Sequence, residues 1–116
     1  VLSHMYGATG FITHLSGFWP EYPLEIWNLL EAKDYDGVRD RLAAFKWKWL
    51  TWRNKVGELT GGEGPFIKAA MEAVGLKAGP PRLPSSRPPE PLLEELRGLL
   101  AECQVPMAST EAVSAD

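Results

Sequence analysis

The sequence predicts a mostly α-helical chain with one isolated strand near its N-terminus. Two sets of apolar residues recur at steps of three and four positions, the spacing of a helix stripe that faces a core. They are Leu42, Phe45, Trp49, Trp52 and Val56 in the middle, and Leu92, Leu93, Leu96, Leu99 and Leu100 near the end. By contrast, only residues 10–15 have the β-rich composition of a strand. With 116 residues, 45% apolar and 23% charged, the composition is that of one globular domain.

The strand candidate is opened by glycines and closed by Ser16 and Gly17. A lone strand leaves its backbone N–H and C=O groups without partners, and burying such groups unpaired costs about 1–3 kcal/mol each. We therefore expect residues 10–15 to pair with a strand outside this sequence. The alternative is an exposed surface loop, which would leave Phe11, Ile12 and Leu15 in contact with water.

The first predicted helix follows Trp19 and Pro20 and runs to about Lys33, with Pro23 in its first turn. A break is expected at residues 34–37, and the helix that carries the tryptophan stripe follows it. Trp47 lies nearly opposite that stripe. A large apolar residue on the far face predicts that this helix is covered on two sides.

Four glycines in residues 57–64 predict a loop, and a short helix is expected from Pro65 to a stop at Gly75. The proline-rich residues 78–89 predict a rigid, extended connection, and the last helix is expected over about residues 90–102. From Val105 the small and polar residues predict a flexible tail. The chain thus divides into residues 1–33, residues 34–104 and a tail at 105–116.

Charge and composition exclude several partners. The net charge of −3 argues against nucleic-acid binding, which needs a concentrated positive face. Four cations alternate with aromatic residues on the central helix, but two of its three tryptophans lie on the core stripe. No apolar run is long enough to span a bilayer, no signal peptide is evident, and Cys103 is the single cysteine, so a cytoplasmic location without membrane contact is predicted. The cations are Lys46, Lys48, Arg53 and Lys55.

No complete catalytic or metal site is evident in the sequence. The glycines at residues 61–64 lack the Gly-Lys-Ser/Thr ending of a phosphate loop, and His4 and His14 have no Cys or carboxylate at triad or metal-ligand spacing. Lys68 is interpreted as a surface or packing lysine, since a Schiff-base role needs a desolvated pocket. We therefore expect no catalytic residue, no metal and no cofactor in this chain.

Several short motifs, taken in order, resemble one enzyme family. They are MYGATGFIT at residues 5–13, Pro20, the helical run through Asp36 and Leu42, GPFIKAA at residues 64–70, Gly75-Leu76, and GPPRLP at residues 79–84. Together they are similar to the C-terminal part of the dihydrodipicolinate synthase/N-acetylneuraminate lyase family, over about residues 3–102. The resemblance implies the last strand, the last barrel helix and the C-terminal helices of a (β/α)8 barrel, and it explains the isolated strand.

The resemblance implies a Schiff-base-forming lyase or dehydratase that acts on pyruvate or another 2-keto acid and assembles as a homo-oligomer. The catalytic lysine, the tyrosine and the carboxylate-binding Thr/Ser pair would all precede this region, so the chain alone would be inactive. Carried over by position, Ile12 would place its backbone carbonyl toward that lysine, Thr13 would lie beside it, and His14 would contact the distal part of the substrate. The alternative for His14 is a purely packing role.

Two departures from the family pattern leave the substrate open. Gly17 stands where relatives often carry Asn, and Phe18-Trp19 is bulkier than usual. The start at Val1, without an initiator Met, is expected of a piece of a longer protein whose partner would be the remainder of the barrel. The rival interpretation is a small helical interaction module that docks a partner through its Trp-rich face or its proline-rich arm, where Pro81 and Pro84 form a PxxP motif. That module would close a helical core over Trp49 and Trp52 by itself.

Overall fold

A computed structural model of the chain describes residues 1–109, and every regular element in that range is helical. The described residues form five α-helices and one 3₁₀ turn, His14–Gly17, which lies between the first two helices. The predicted mostly α-helical class is confirmed for this range. The helices are α1 (Leu2–Met5), α2 (Glu21–Glu31), α3 (Tyr35–Thr60), α4 (Glu63–Ala73) and α5 (Glu90–Glu102).

The long helix α3 is the centre of the fold, since α2, α4 and α5 all pack against it. The predicted stripe is confirmed: four of its five residues are buried and Leu42 is half-buried. Trp52 has no exposed surface at all, and its indole N–H donates to the Leu92 carbonyl of α5 at 2.7 Å. The four buried stripe residues are Phe45, Trp49, Trp52 and Val56.

Aromatic rings from three parts of the chain form the interior of the fold. Trp19 stacks on Tyr22 with ring centroids 4.6 Å apart, and Phe18 lies 5.0 Å from Trp49. Phe45 and Phe66 complete the cluster around the stripe of α3. Such rings bury large areas and prefer offset or edge-to-face contacts. The chain thus closes a core of its own around α3.

Both ends of α3 differ from the sequence prediction. The break before it covers only residues 32–34, because the Asp34 side chain accepts from the Gly37 backbone N–H at 3.0 Å and caps the helix. The predicted loop at residues 57–64 is wrong, since α3 continues to Thr60. It ends at Gly61, whose φ of 81° is the left-handed conformation that glycine adopts without strain. Gly57 lies inside α3 and does not have a positive φ, so it does not end the helix.

The predicted strand at residues 10–15 is also wrong for the described structure. No strand occurs in residues 1–109, and His14 to Gly17 form a 3₁₀ turn instead. Thr13 Oγ1 accepts from the Leu15 N–H at 3.2 Å, and Ser16 Oγ donates to the Thr13 carbonyl at 2.9 Å. These local bonds satisfy backbone groups that a strand would leave to a neighbour.

The proline-rich residues 78–89 contain no helix, as predicted, and run along α4 into α5. Beyond α5, Val105 is buried and the Ala108 N–H donates to the Val74 carbonyl at 2.7 Å. Packing therefore continues through Ala108, and residues 110–116 of the predicted tail lie outside the described residues. Across the described range, none of the helices has the length and apolar character needed to cross a membrane.

Candidate functional site

Most of residues 8–13 line one side of a partly open cavity of about 300 Å³, whose other sides are formed by α2 and α3. All three residues that the family resemblance assigns to substrate binding, Ile12, Thr13 and His14, border this cavity. These three residues are consecutive in the chain, so the structure adds only that they lie along this cavity. The cavity also borders side chains from α1, α2 and α3, of which only those of α3 are far from residues 12–14 in the sequence.

Ile12 lies at the mouth of the cavity with its side chain fully exposed. Phe11 beside it is 47% exposed, although its ring reaches Trp27 at a centroid distance of 5.9 Å. Within the described residues, the backbone of residues 9–12 makes no hydrogen bond. This segment therefore offers free backbone donors and acceptors next to exposed apolar side chains.

Thr13 has a local structural role. Its backbone is extended, with φ of −147° and ψ of 139°, and its side chain caps the 3₁₀ turn through the Leu15 N–H. The hydroxyl oxygen is engaged in that bond, although its proton remains available to donate. Thr13 therefore fixes where the extended segment ends and where His14 begins.

His14 is held between two rings of the core. Its ring centroid lies 5.8 Å from that of Trp49 and 5.4 Å from that of Phe66. The Trp49 indole N–H donates to His14 Nε2 at 3.1 Å. Because an indole N–H can only donate, Nε2 must be the unprotonated nitrogen and the ring proton is assigned to Nδ1. His14 is thus a neutral, oriented imidazole with one N–H left to donate.

The electrostatic surroundings of His14 favour the neutral ring. Burial lowers the pKa of His14 below its usual 6.5, and the nearby Arg53 cation lowers it further, while Glu63 opposes them. The same neutrality is needed for Nε2 to accept from Trp49. Geometry and charge therefore agree that His14 serves as a hydrogen-bonding and packing group near neutral pH.

Acidification should destabilise the chain through His14. A base whose pKa is lower in the folded state than in the unfolded state contributes stability above its unfolded pKa, and that stability is lost as the pH falls below about 6.5. Urea unfolding between pH 7.5 and 5 should therefore show a falling free energy of unfolding. In His14→Gln, whose amide oxygen can still accept from Trp49, this part of the pH dependence should be absent. Equal pH slopes in the two proteins would contradict the role given to His14.

Sequence reasoning missed the cationic wall of the cavity. Lys46 and Arg53 both line it, and they lie seven positions apart on α3, which places them on the same face two turns apart. The sequence showed them only as residues that flank the apolar stripe. The i, i+7 spacing predicts that Lys46 and Arg53 share a helix face. Periodicity does not predict that residues 8–13 pack near that face and form the cavity.

Two other side chains with nucleophilic groups, Lys68 and Cys103, are not placed to react. Lys68 Nζ donates to the carbonyls of Ala78 and Pro80, each at 3.0 Å. Burial raises the pKa of the Cys103 thiol, so the thiol stays protonated and is a weak nucleophile. Within residues 1–109, no group of three His, Cys, Asp or Glu side chains is placed to hold a metal ion. The described arrangement can bind and orient a ligand, and it contains no activated nucleophile.

The resemblance to the dihydrodipicolinate synthase/N-acetylneuraminate lyase family rests on the sequence motifs given above. Comparison with protein-family models, with curated proteins and with solved structures gave no match to this chain.

Proposed function

We propose that the chain is the C-terminal portion of a Schiff-base-forming lyase or dehydratase that acts on pyruvate or another 2-keto acid. In this proposal residues 10–15, which form no strand in the chain by itself, become the closing strand of a (β/α)8 barrel when the preceding part of the enzyme is present, α2 is the last barrel helix, and α3 to α5 pack outside it. The parent enzyme is cytoplasmic and homo-oligomeric. The catalytic lysine belongs to the preceding part of the barrel, and the 116-residue chain alone is inactive.

The observation that carries the proposal is the irregular segment before the 3₁₀ turn, whose backbone is unpaired. Residues 9–12 make no backbone hydrogen bond within the described residues, and Ile12 is fully exposed beside the half-exposed Phe11. An apolar segment with free backbone groups is suited to pairing with strands on both sides. A barrel's closing strand needs this combination, because its backbone pairs with two neighbours and its side chains enter the barrel and the helix layer.

The order of the helices also supports the proposal. One barrel helix, a long helix, a shorter helix, a proline-rich connection and a last helix follow the segment in the order that the motifs imply. The GPFIKAA motif lies on α4, and GPPRLP lies in the connection, where Lys68 of the first motif donates to the carbonyl of Pro80 in the second. Two motifs that are separate in the sequence are therefore in contact.

The chemistry implied by the resemblance divides between the two parts of the enzyme. A neutral lysine of the preceding part attacks the keto carbon, water is lost, and the imine then accepts the electron pair when a C–C bond breaks or water leaves. This chain supplies the wall beside that imine, with Ile12, Thr13 and His14 at the end of the last strand, where barrel enzymes hold their functional groups. Its own Lys68 is not the nucleophile, because both of its short contacts are to carbonyl oxygens.

Borohydride trapping tests this proposal. A polypeptide that joins this chain to the barrel portion encoded upstream should gain a covalent adduct when it is treated with pyruvate and borohydride, and the 116-residue chain should gain none. Mass spectrometry of tryptic peptides locates the modified lysine. An adduct on Lys68 or any other lysine of the 116-residue chain would refute the placement of the chemistry, and no adduct on the longer polypeptide would refute the lyase proposal.

A second candidate function is a small helical interaction module, and one observation favours it. Trp49 and Trp52 are 1% and 0% exposed in a core made by this chain's own helices, which the module interpretation requires. Of the three tryptophans of α3 only Trp47 lies at the surface, at 72% exposure, so the docking face of such a module would centre on Trp47 or on the proline-rich arm. Size-exclusion chromatography and thermal melting separate the two: a cooperatively folded monomer favours the module, and an aggregating or loosely folded chain favours the barrel fragment.

A further inference from the structure

The cavity between α2, α3 and residues 8–13 has an apolar floor. Buried side chains from α2 and α3 form the floor, and the half-buried Trp27 and the ring of Phe11 form a wall. A volume of about 300 Å³ is at the lower end of the range for small-molecule sites. The floor residues are Tyr22, Ile26, Leu30, Val38 and Trp49.

The lysine and arginine side chains that line the cavity are not matched by any lining carboxylate. Its lining contains Lys46 and Arg53 and no Asp or Glu, although the whole chain carries 15 acidic and 12 basic residues. His4 also borders the cavity, but its Nε2 lies 3.0 Å from Glu31 Oε1 and is paired there. A cation-lined, acid-free cavity in an acidic chain favours an anionic ligand.

Both cations are available to a ligand. Within residues 1–109, neither Lys46 nor Arg53 has a carboxylate oxygen within 4.0 Å, whereas several other cations of α3 are paired. The Arg53 guanidinium lies 5.5 Å from the ring of Phe66, which holds it close to His14. His14 adds a free Nδ1–H in the same region. The paired cations of α3 are Arg39, Arg41, Lys48 and Lys55.

We propose that this cavity binds a small carboxylic acid with an apolar body, whose carboxylate contacts Arg53 and Lys46 while the body lies on the floor. A guanidinium matches the two oxygens of a carboxylate, and charge-assisted hydrogen bonds are about twice as strong as neutral ones. The apolar floor excludes small hydrophilic anions, because they would gain nothing from burial there. The proposal concerns the 116-residue chain itself and does not depend on lyase activity.

Three probes with the same apolar body test the charge preference. Isothermal titration of the wild-type chain with 4-phenylbutyrate, 4-phenylbutanol and 4-phenylbutylamine should rank them in that order. The carboxylate should bind about tenfold more tightly than the alcohol, and the amine should not bind measurably. The Trp49 indole N–H resonance should shift with 4-phenylbutyrate, since that residue forms part of the floor. Equal affinity for the three probes, or no binding of the carboxylate at millimolar concentration, would overturn the proposal.

Variants then locate the charge. Arg53→Gln should lower the affinity for 4-phenylbutyrate about tenfold and leave the affinity for 4-phenylbutanol unchanged, and Lys46→Gln should act in the same direction. Arg53→Lys should keep most of the carboxylate preference. Arg39→Gln, which makes the same change in net charge elsewhere on α3, is the matched control and should bind like wild type. Equal losses in Arg53→Gln and Arg39→Gln would overturn the assigned contact, and if Arg53→Gln does not fold, Lys46→Gln against Arg39→Gln decides the same point.

Discussion

Replacing Trp52 by Ala should lower the free energy of unfolding by about 3–5 kcal/mol. Trp52 has no exposed surface and packs 5.3 Å from the ring of Trp49, so its removal leaves a large cavity between α3 and α5. It also leaves the Leu92 carbonyl without the indole donor. Domains of this size are stable by only about 5–15 kcal/mol, so the variant should be largely unfolded at moderate temperature. Urea titration followed by circular dichroism measures the loss.

Trp47→Ala is the matched control for Trp52→Ala. It removes the same side chain from the same helix, at a position that is 72% exposed. Its effect should stay within about 0.5 kcal/mol, as for ordinary surface substitutions. A loss at Trp47 comparable to that at Trp52 would contradict the described packing and would show that the far face of α3 is covered in solution.

Replacing Lys68 by Met should loosen the proline-rich connection. The Lys68 ammonium holds the carbonyls of Ala78 and Pro80, and Met keeps the apolar length of the side chain while it removes both bonds. Because Pro80 is exposed and its carbonyl can be hydrated, the expected loss is about 1–3 kcal/mol in total. Local opening of the proline-rich connection should increase more than global unfolding does. Trypsin should therefore cleave after Lys77 and Arg82 faster than in wild type.

Lys55→Met is the control for Lys68→Met. Lys55 pairs with Glu95 of α5 at 2.6 Å, but both side chains are more than 40% exposed, and exposed pairs contribute about 0–1 kcal/mol. Cleavage after Lys77 and Arg82 should remain at the wild-type rate in this variant. Unchanged cleavage in Lys68→Met would show that other contacts, such as the buried Pro88, hold the connection.

The helices could be predicted because their signals are local. The three- and four-residue steps of Phe45, Trp49 and Trp52 identify the buried face of α3, and Pro91 near the start of the final leucine stripe fixes the beginning of α5. The predicted end of α3 near residue 57 is wrong because the stop depends on the backbone conformation of a single glycine. Only Gly61, of the glycines near the end of α3, adopts the left-handed conformation that stops it, and composition does not distinguish Gly61 from Gly57.

The candidate site was predicted only in part. The resemblance predicts Ile12, Thr13 and His14 at the site. The groups that complete it come from elsewhere in the chain: Trp49 and Phe66 contact His14, and Arg53 lines the cavity. The β-rich composition of residues 10–15 predicts a strand, but the side chains of Thr13 and Ser16 bond to the local backbone and favour a turn.

The sequence by itself determined the helical class, the core face of α3, the last helix and the extended proline-rich connection. Helical periodicity and the conformational restriction of proline act between near neighbours, so they need no knowledge of the rest of the chain. The tertiary structure alone decided that Lys68 holds the connection, that His14 accepts from Trp49, and that two cations of α3 face an acid-free cavity. The hydrogen bonds of Lys68 to Ala78 and of Trp49 to His14 join residues 10 and 35 positions apart, and the cavity brings residues near the N-terminus against α3. Such contacts form only when packing brings separate elements together.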